Sequence, residues 1–158
     1  MQFWLMKSEP SVFSIEDLQR LPQQRSCWEG VRNFQARNYL RTMQVGDRGF
    51  FYHSSCTPPG IVGVMEIVKS AYPDDTAWTQ DSAYYDARAT AENPIWVQVD
   101  VQLVTAWKSI VSLEELKSYR TELGEFSLLQ RGNRLSIIPV TPAQWALIEG
   151  ISASRMAF

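Results

Sequence analysis

Two apolar runs on either side of a proline–glycine loop limit what this chain can fold into more than any other feature. Arg48-Gly49-Phe50-Phe51-Tyr52-His53-Ser54 and Ile61-Val62-Gly63-Val64-Met65-Glu66-Ile67-Val68 flank Thr57-Pro58-Pro59-Gly60. Successive side chains of a strand point to opposite faces, so adjacent large apolar residues need cover on both sides. The runs are therefore predicted to be central strands of a sheet, paired as a hairpin. Phe3-Trp4-Leu5-Met6 reads as a further short buried strand, running into the Lys7-Ser8-Glu9-Pro10 loop. Ile95 to Leu103 alternates, as a strand with one buried face does. Arg134 to Val140 is a last strand, confined to an edge or ended by Pro139.

Helices are marked by their caps. Ser14 precedes Ile15-Glu16-Asp17-Leu18, with acids in the first turn and Pro22 as the stop. Asn33 caps a helix whose Ala36, Tyr39, Leu40 and Met43 share one face. Ser112-Leu113-Glu114-Glu115 has the form of a capping box. Thr141-Pro142 opens a final helix, expected to end at Gly150. Strands dominate, with helices between them, which fits an α+β fold: a small mixed β-barrel with helices on its outside. At 158 residues with 45% hydrophobic residues, one domain spanning 1–158 with a proper core is expected.

Chemistry is concentrated at Cys27-Trp28-Glu29-Gly30-Val31-Arg32-Asn33. Trp28 offers a flat stacking face, Gly30 permits a close approach, and the helix after Asn33 presents free N–H groups. An aromatic platform beside donors suits a planar, hydrogen-bonding ligand; the more ordinary reading of the same residues is that Trp28 is a core aromatic and Asn33 only a cap. Trp28 is expected to be partly exposed in a concave pocket. The segment from Ala71 to Pro94 is polar and irregular with Trp78, Tyr84 and Tyr85 scattered through it. A long irregular loop is either functional or a surface excursion pinned by its aromatics.

Catalytic constellations are scarce. His53 is the sole histidine, no phosphate-binding glycine loop or Gly-x-Ser-x-Gly turn is present, and Cys27 and Cys56 lack metal-ligand spacing. No cofactor or metal is called for. The net charge of −2 argues against gripping long phosphate tracts by charge alone. With no signal peptide and no membrane-length apolar run, a soluble, cytoplasmic protein without a membrane partner is expected.

Trp4 to Pro10, Trp28 to Asn33, Phe51 to Ser54, Gly63 to Val68 and Arg134 to Val140 together resemble the EVE domain, in the family's order. That family belongs to the PUA-like superfamily. It is similar to the YTH domain, a reader of methylated adenine in RNA, and to the thymocyte nuclear protein family, associated with modified cytosine in DNA. The resemblance implies a PUA-like barrel with a pocket for a modified nucleobase in DNA or RNA. Trp28 falls where the YTH pattern has a cage tryptophan. Lys7, Ser8 and Glu9 match the motif at the first strand's end and are expected on the pocket rim. Arg32 and Asn33 match the Trp-x-Gly-Val-Arg-Asn block and are assigned to base binding. Tyr52, His53 and Ser54 match the strand motif and are expected to line the floor. Trp78 and Tyr85 are candidates for a second wall, and Arg32, Arg37, Arg131 and Arg134 for phosphate contacts. The function expected is non-catalytic recognition of a methylated base. The rivals are an enzyme acting on a small molecule or nucleotide with His53 and Glu9 as its acid/base pair, and a protein-interaction module.

Overall fold

The computed structural model describes residues 1–156. Its strands are β1 (Phe3–Ser8), β2 (Arg25–Trp28), β3 (Arg48–His53), β4 (Gly60–Pro73), β5 (Val97–Ser112) and β6 (Ile137–Val140). The α-helices are α1 (Ile15–Arg20), α2 (Phe34–Thr42), α3 (Leu113–Ser118), α4 (Arg120–Leu123) and α5 (Pro142–Met156). One mixed sheet runs in the order β2-β5-β4-β3-β1-β6, with β1 parallel to β3 and the other pairs antiparallel. The β3–β4 hairpin is present and central, as the two apolar runs require.

Alternation along the central strands feeds two cores, one on each face. Leu5, Phe50 and Ile138 point to the side covered by Leu116, Leu123, Trp145 and Ile148 of α3, α4 and α5. Trp4, Met6, Phe51 and Ile137 point to the side covered by Ile15, Leu18, Ala36 and Leu40 of α1 and α2. Ser14 forms a full capping box with Asp17, and the Asn33 side chain accepts from the Ala36 N–H at 3.0 Å.

Several expectations are corrected. The sheet does not close into a barrel: β2 and β6 form its two ends, and no ladder joins them. β2 itself was not expected, because Arg25-Ser26-Cys27-Trp28 has no alternation of its own and is a strand by pairing with β5. β4 and β5 run on to Pro73 and Ser112, beyond their apolar stretches, because each serves as the other's partner. Ser112 caps α3 through the Glu115 N–H, but the Glu115 carboxylate is paired with Arg155, so the capping box is half formed. α5 continues through Gly150. A mid-helix glycine costs roughly 1 kcal/mol, and burial of Ile148 and Ile151 on either side of it, at about 1.5–3 kcal/mol each, outweighs it.

Candidate functional site

A cavity of about 510 Å³ opens where the C-terminal ends of β1 and β2 face each other. These strands lie far apart in the strand order, so the sheet curls to bring them to one site. Lys7, Ser8 and Glu9 come from β1 and the turn after it; Val12 and Phe13 from the segment before α1. Ser26, Cys27 and Trp28 come from β2, continuing through Glu29, Gly30 and Val31. The long loop between β4 and β5 supplies Ala83 and Tyr84, and Ser136 enters from the segment before β6.

Trp28 is in the wall of this cavity but only 6% exposed, so the expected partial exposure is corrected. Its pairing with Val99 of β5 carries the indole into the core. The rings of Phe13 and Phe51 stand near-perpendicular to it, at 6.3 and 5.3 Å. The other aromatics of the lining are Phe13 and Tyr84; Trp78 and Tyr85 are not in it. Trp78 packs with Ala77, Ala89 and Trp96 in a small core of the loop's own, and Tyr85 is exposed. The loop is thus pinned by its aromatics and also contributes to the cavity. The signal for Tyr84 lies in Gly30, which has φ +84°, and an added Cβ there would meet the Tyr84 ring at 2.6 Å. The close approach that a glycine permits is made by this tyrosine.

Arg32 lies outside the cavity lining and ties the wall together. Its guanidinium donates to the Tyr84 carbonyl at 3.0 Å, to Asp74 Oδ2 at 3.0 Å and to Thr76 Oγ1 at 3.1 Å. Asp74 is fully buried and also accepts from the Gly30 N–H at 2.9 Å. One carboxylate therefore holds the Trp28–Gly30 segment and the loop in register, and Arg32 is a positioning residue. Asn33 is occupied as the α2 cap and is likewise outside the lining.

Tyr52, His53 and Ser54 do not form the cavity floor. Register places Tyr52 beside Lys7, but its ring is buried in the opposite core, and burial pushes its hydroxyl up to about 12. His53 Nε2 accepts from the Ile15 N–H at 3.1 Å, which fixes the start of α1. Ser54 bonds through its backbone N–H to the Ser8 carbonyl at 3.0 Å. Burial lowers the His53 pKa below the ordinary 6.5, so the neutral ring is the folded form. A proton on Nε2 would remove the acceptor. The acid/base pair of the enzymatic reading is therefore not assembled: Glu9 is in the cavity lining, and His53 is outside it with its Nε2 occupied.

A pH dependence follows, with its sign set by linkage. The unfolded chain takes up the His53 proton first, so stability should be full above pH 6.5 and decline as pH falls below it. In His53→Gln, whose amide oxygen can accept from Ile15 without titrating, that part of the decline should vanish. Thermal melts of both proteins between pH 8 and 5 give the comparison, and parallel curves would remove His53 from the account.

Lys7, Cys27 and Glu29 of the lining are shifted from their ordinary values. Burial lowers the Lys7 pKa, and its ammonium lies 5.9 Å from the Tyr52 ring centroid. Burial raises the Glu29 pKa, helped by Asp74 and Asp75. Burial and neighbouring carboxylates push the Cys27 thiol up to about 11, so at neutral pH it is not a thiolate nucleophile. Among the described residues, no group of three or more His, Cys, Asp or Glu could hold a metal ion. No helix among them is long and apolar enough to cross a membrane. Of the arginines expected at phosphates, Arg131 and Arg134 are exposed in the segment leading to Ser136. Arg37 is half-buried, bonded to Asn38 and to the Ile95 carbonyl.

A curled mixed sheet covered by helices on both faces, with a ligand-sized cavity at its strand ends, defines an α+β binding domain. Residues 2–151 match the model of the EVE domain. Thymocyte nuclear protein 1 of Homo sapiens is 46% identical over 161 residues, covering 92% of this chain and 71% of the relative. A protein of Pseudomonas syringae superposes with a TM-score of 0.91 at 53% identity, covering 95% of this chain and 99% of that one. Human THYN1 protein, solved in complex with 5-methylcytosine containing DNA, has a TM-score of 0.91 at 45% identity, covering 96% of this chain and 98% of that one. The chain belongs to the EVE domain family.

Proposed function

We propose that this chain is a non-catalytic reader of a methylated base in DNA, with the cavity between Trp28 and Tyr84 as the seat of the base. The observation that carries the reading is the cavity itself. At about 510 Å³ it lies within the range of roughly 300–1,000 Å³ typical of small-ligand sites, and aromatic and polar groups share its walls. The complex of human THYN1 with 5-methylcytosine containing DNA supports DNA as the partner. A base inside a duplex must leave the stack to enter such a site, at a cost of about a few kcal/mol. Stacking returns about 1–3 kcal/mol per base. A buried methyl group adds about 0.8 kcal/mol, roughly a fourfold preference over the unmodified base. Lys7 supplies a donor to the lining, the Ser8 hydroxyl donates to the Phe13 carbonyl at 2.6 Å and can only accept, and Glu9 and Glu29 supply further acceptors.

Arg37, Arg131 and Arg134 are the phosphate contacts in this reading. Three contacts give log affinity a slope of roughly −2 to −3 against log salt. The preference for the methylated base should persist at high salt, because stacking and methyl burial are not screened. Titrating methylated and unmethylated oligonucleotides of one sequence across a salt series tests both expectations. A steep slope without methyl preference would mean simple phosphate binding and end the reader hypothesis.

A further inference from the structure

Outside the cavity, the first residue of α2 makes an unusual surface. Phe34 is 49% exposed, whereas the other phenylalanines among the described residues are buried or half-buried. It is held flat by stacking on Trp96, with ring centroids 4.8 Å apart and planes 28° apart. Trp96 is buried and is itself fixed by its indole N–H donating to Asp86 Oδ2 at 2.9 Å. The exposed ring is therefore a rigid platform. Two guanidinium groups lie over its ring, Arg37 at 4.8 Å and Arg88 at 6.0 Å from the centroid, so a base stacking on it displaces or sandwiches the Arg37 side chain. Arg41 follows one turn along α2 and is exposed. Arg88 is paired with Asp86 at 2.8 Å, whereas Arg37 has an amide and a carbonyl as partners and, among the described residues, no carboxylate. The patch is basic on a chain whose net charge is −2.

The platform is joined to the cavity by Arg32. Its guanidinium lies 5.7 Å from the Tyr84 ring centroid on the cavity side and 5.5 Å from Trp96 beneath Phe34. Each step of this ladder is shorter than two base rises of a stacked strand, at about 3.4 Å each, so a strand with one base in the cavity has its next few nucleotides near Phe34. We propose that Phe34 is a second stacking site, which receives a base flanking the extruded one on the same DNA strand while Arg37 and Arg41 take the adjoining phosphates. The inference rests on the reader function proposed above. An exposed aromatic beside cations is the equipment single strands are held by, since every base has a face to stack and every linkage a charge.

Two probes separate this site from the cavity: 5-methyl-2′-deoxycytidine as a free nucleoside, which occupies the cavity alone, and a duplex carrying one central 5-methylcytosine. Phe34→Ala should bind the duplex about tenfold more weakly and the nucleoside as wild type does, with Phe34→Trp restoring duplex binding. Arg41→Ala should lower the salt slope for the duplex by about one and leave the nucleoside unaffected. Nucleoside binding by Phe34→Ala also certifies that the variant is folded. Equal duplex affinity for wild type and Phe34→Ala, with methyl preference intact, would overturn the second site and leave the cavity reading standing. Absence of methyl preference in wild type would overturn both.

Discussion

Trp28→Ala is expected to lower the melting temperature by about 6–12 °C and to bring the affinities for methylated and unmethylated DNA together. The first effect comes from the core. Trp28 is 6% exposed between Phe13, Phe51 and Val99, and truncating a buried tryptophan costs about 3–5 kcal/mol. The low end applies because one side of the residue already borders a cavity, and about 3 kcal/mol corresponds to that temperature shift at this chain length. The second effect is loss of the stacking wall, worth about 1–3 kcal/mol. Trp28→Phe separates the two: an aromatic remains against Phe13 and Phe51, so stability should largely recover while affinity stays reduced. Preserved methyl preference in a folded Trp28→Ala protein would remove the residue from the site.

Asp74→Ala should be at least as damaging, at about 3–5 kcal/mol, although Asp74 is not itself in the cavity lining. Its buried carboxylate accepts from the Gly30 N–H, the Arg32 guanidinium and the Thr76 N–H. Removing it leaves the Arg32 charge, only 21% exposed, without its counter-ion. Arg32→Ala alone should be destabilising for the mirror reason, and the double variant should cost clearly less than the two singles together, because the partners act as one unit. Urea unfolding of the four proteins measures this coupling. Strict additivity would mean that Asp74 and Arg32 do not hold the wall jointly. The same variants should loosen Tyr84, whose carbonyl Arg32 holds, so affinity for methylated DNA should fall along with stability.

These two residues illustrate how differently parts of the site could be read from the chain alone. Trp28, Gly30 and the Lys7-Ser8-Glu9 turn were legible, because an aromatic beside a glycine and a polar turn at a strand end carry local meaning. Arg32 was expected to serve the ligand and instead serves Asp74. A short-range motif reports the residue type but not which distant acid it will meet. His53 is a similar case. In sequence it is a lone titratable group in an apolar strand; in the structure it is an acceptor at the start of α1.

Elements with a local cause are legible in the chain alone. β1, β3 and β4 follow from apolar residues needing cover on both faces, and α1, α2 and α5 from their caps at Ser14, Asn33 and Thr141-Pro142. The family motif and the pocket's tryptophan are in the same class. The remaining features come from long-range packing. β2 is a strand because β5 lies alongside it. The sheet curls without closing, and Tyr84 becomes the second wall by packing on Gly30. Phe34 becomes a platform by stacking on Trp96. Each of these rests on contacts between residues tens of positions apart. Their free energy depends on which surfaces meet after the chain collapses, and no local periodicity or cap encodes that choice.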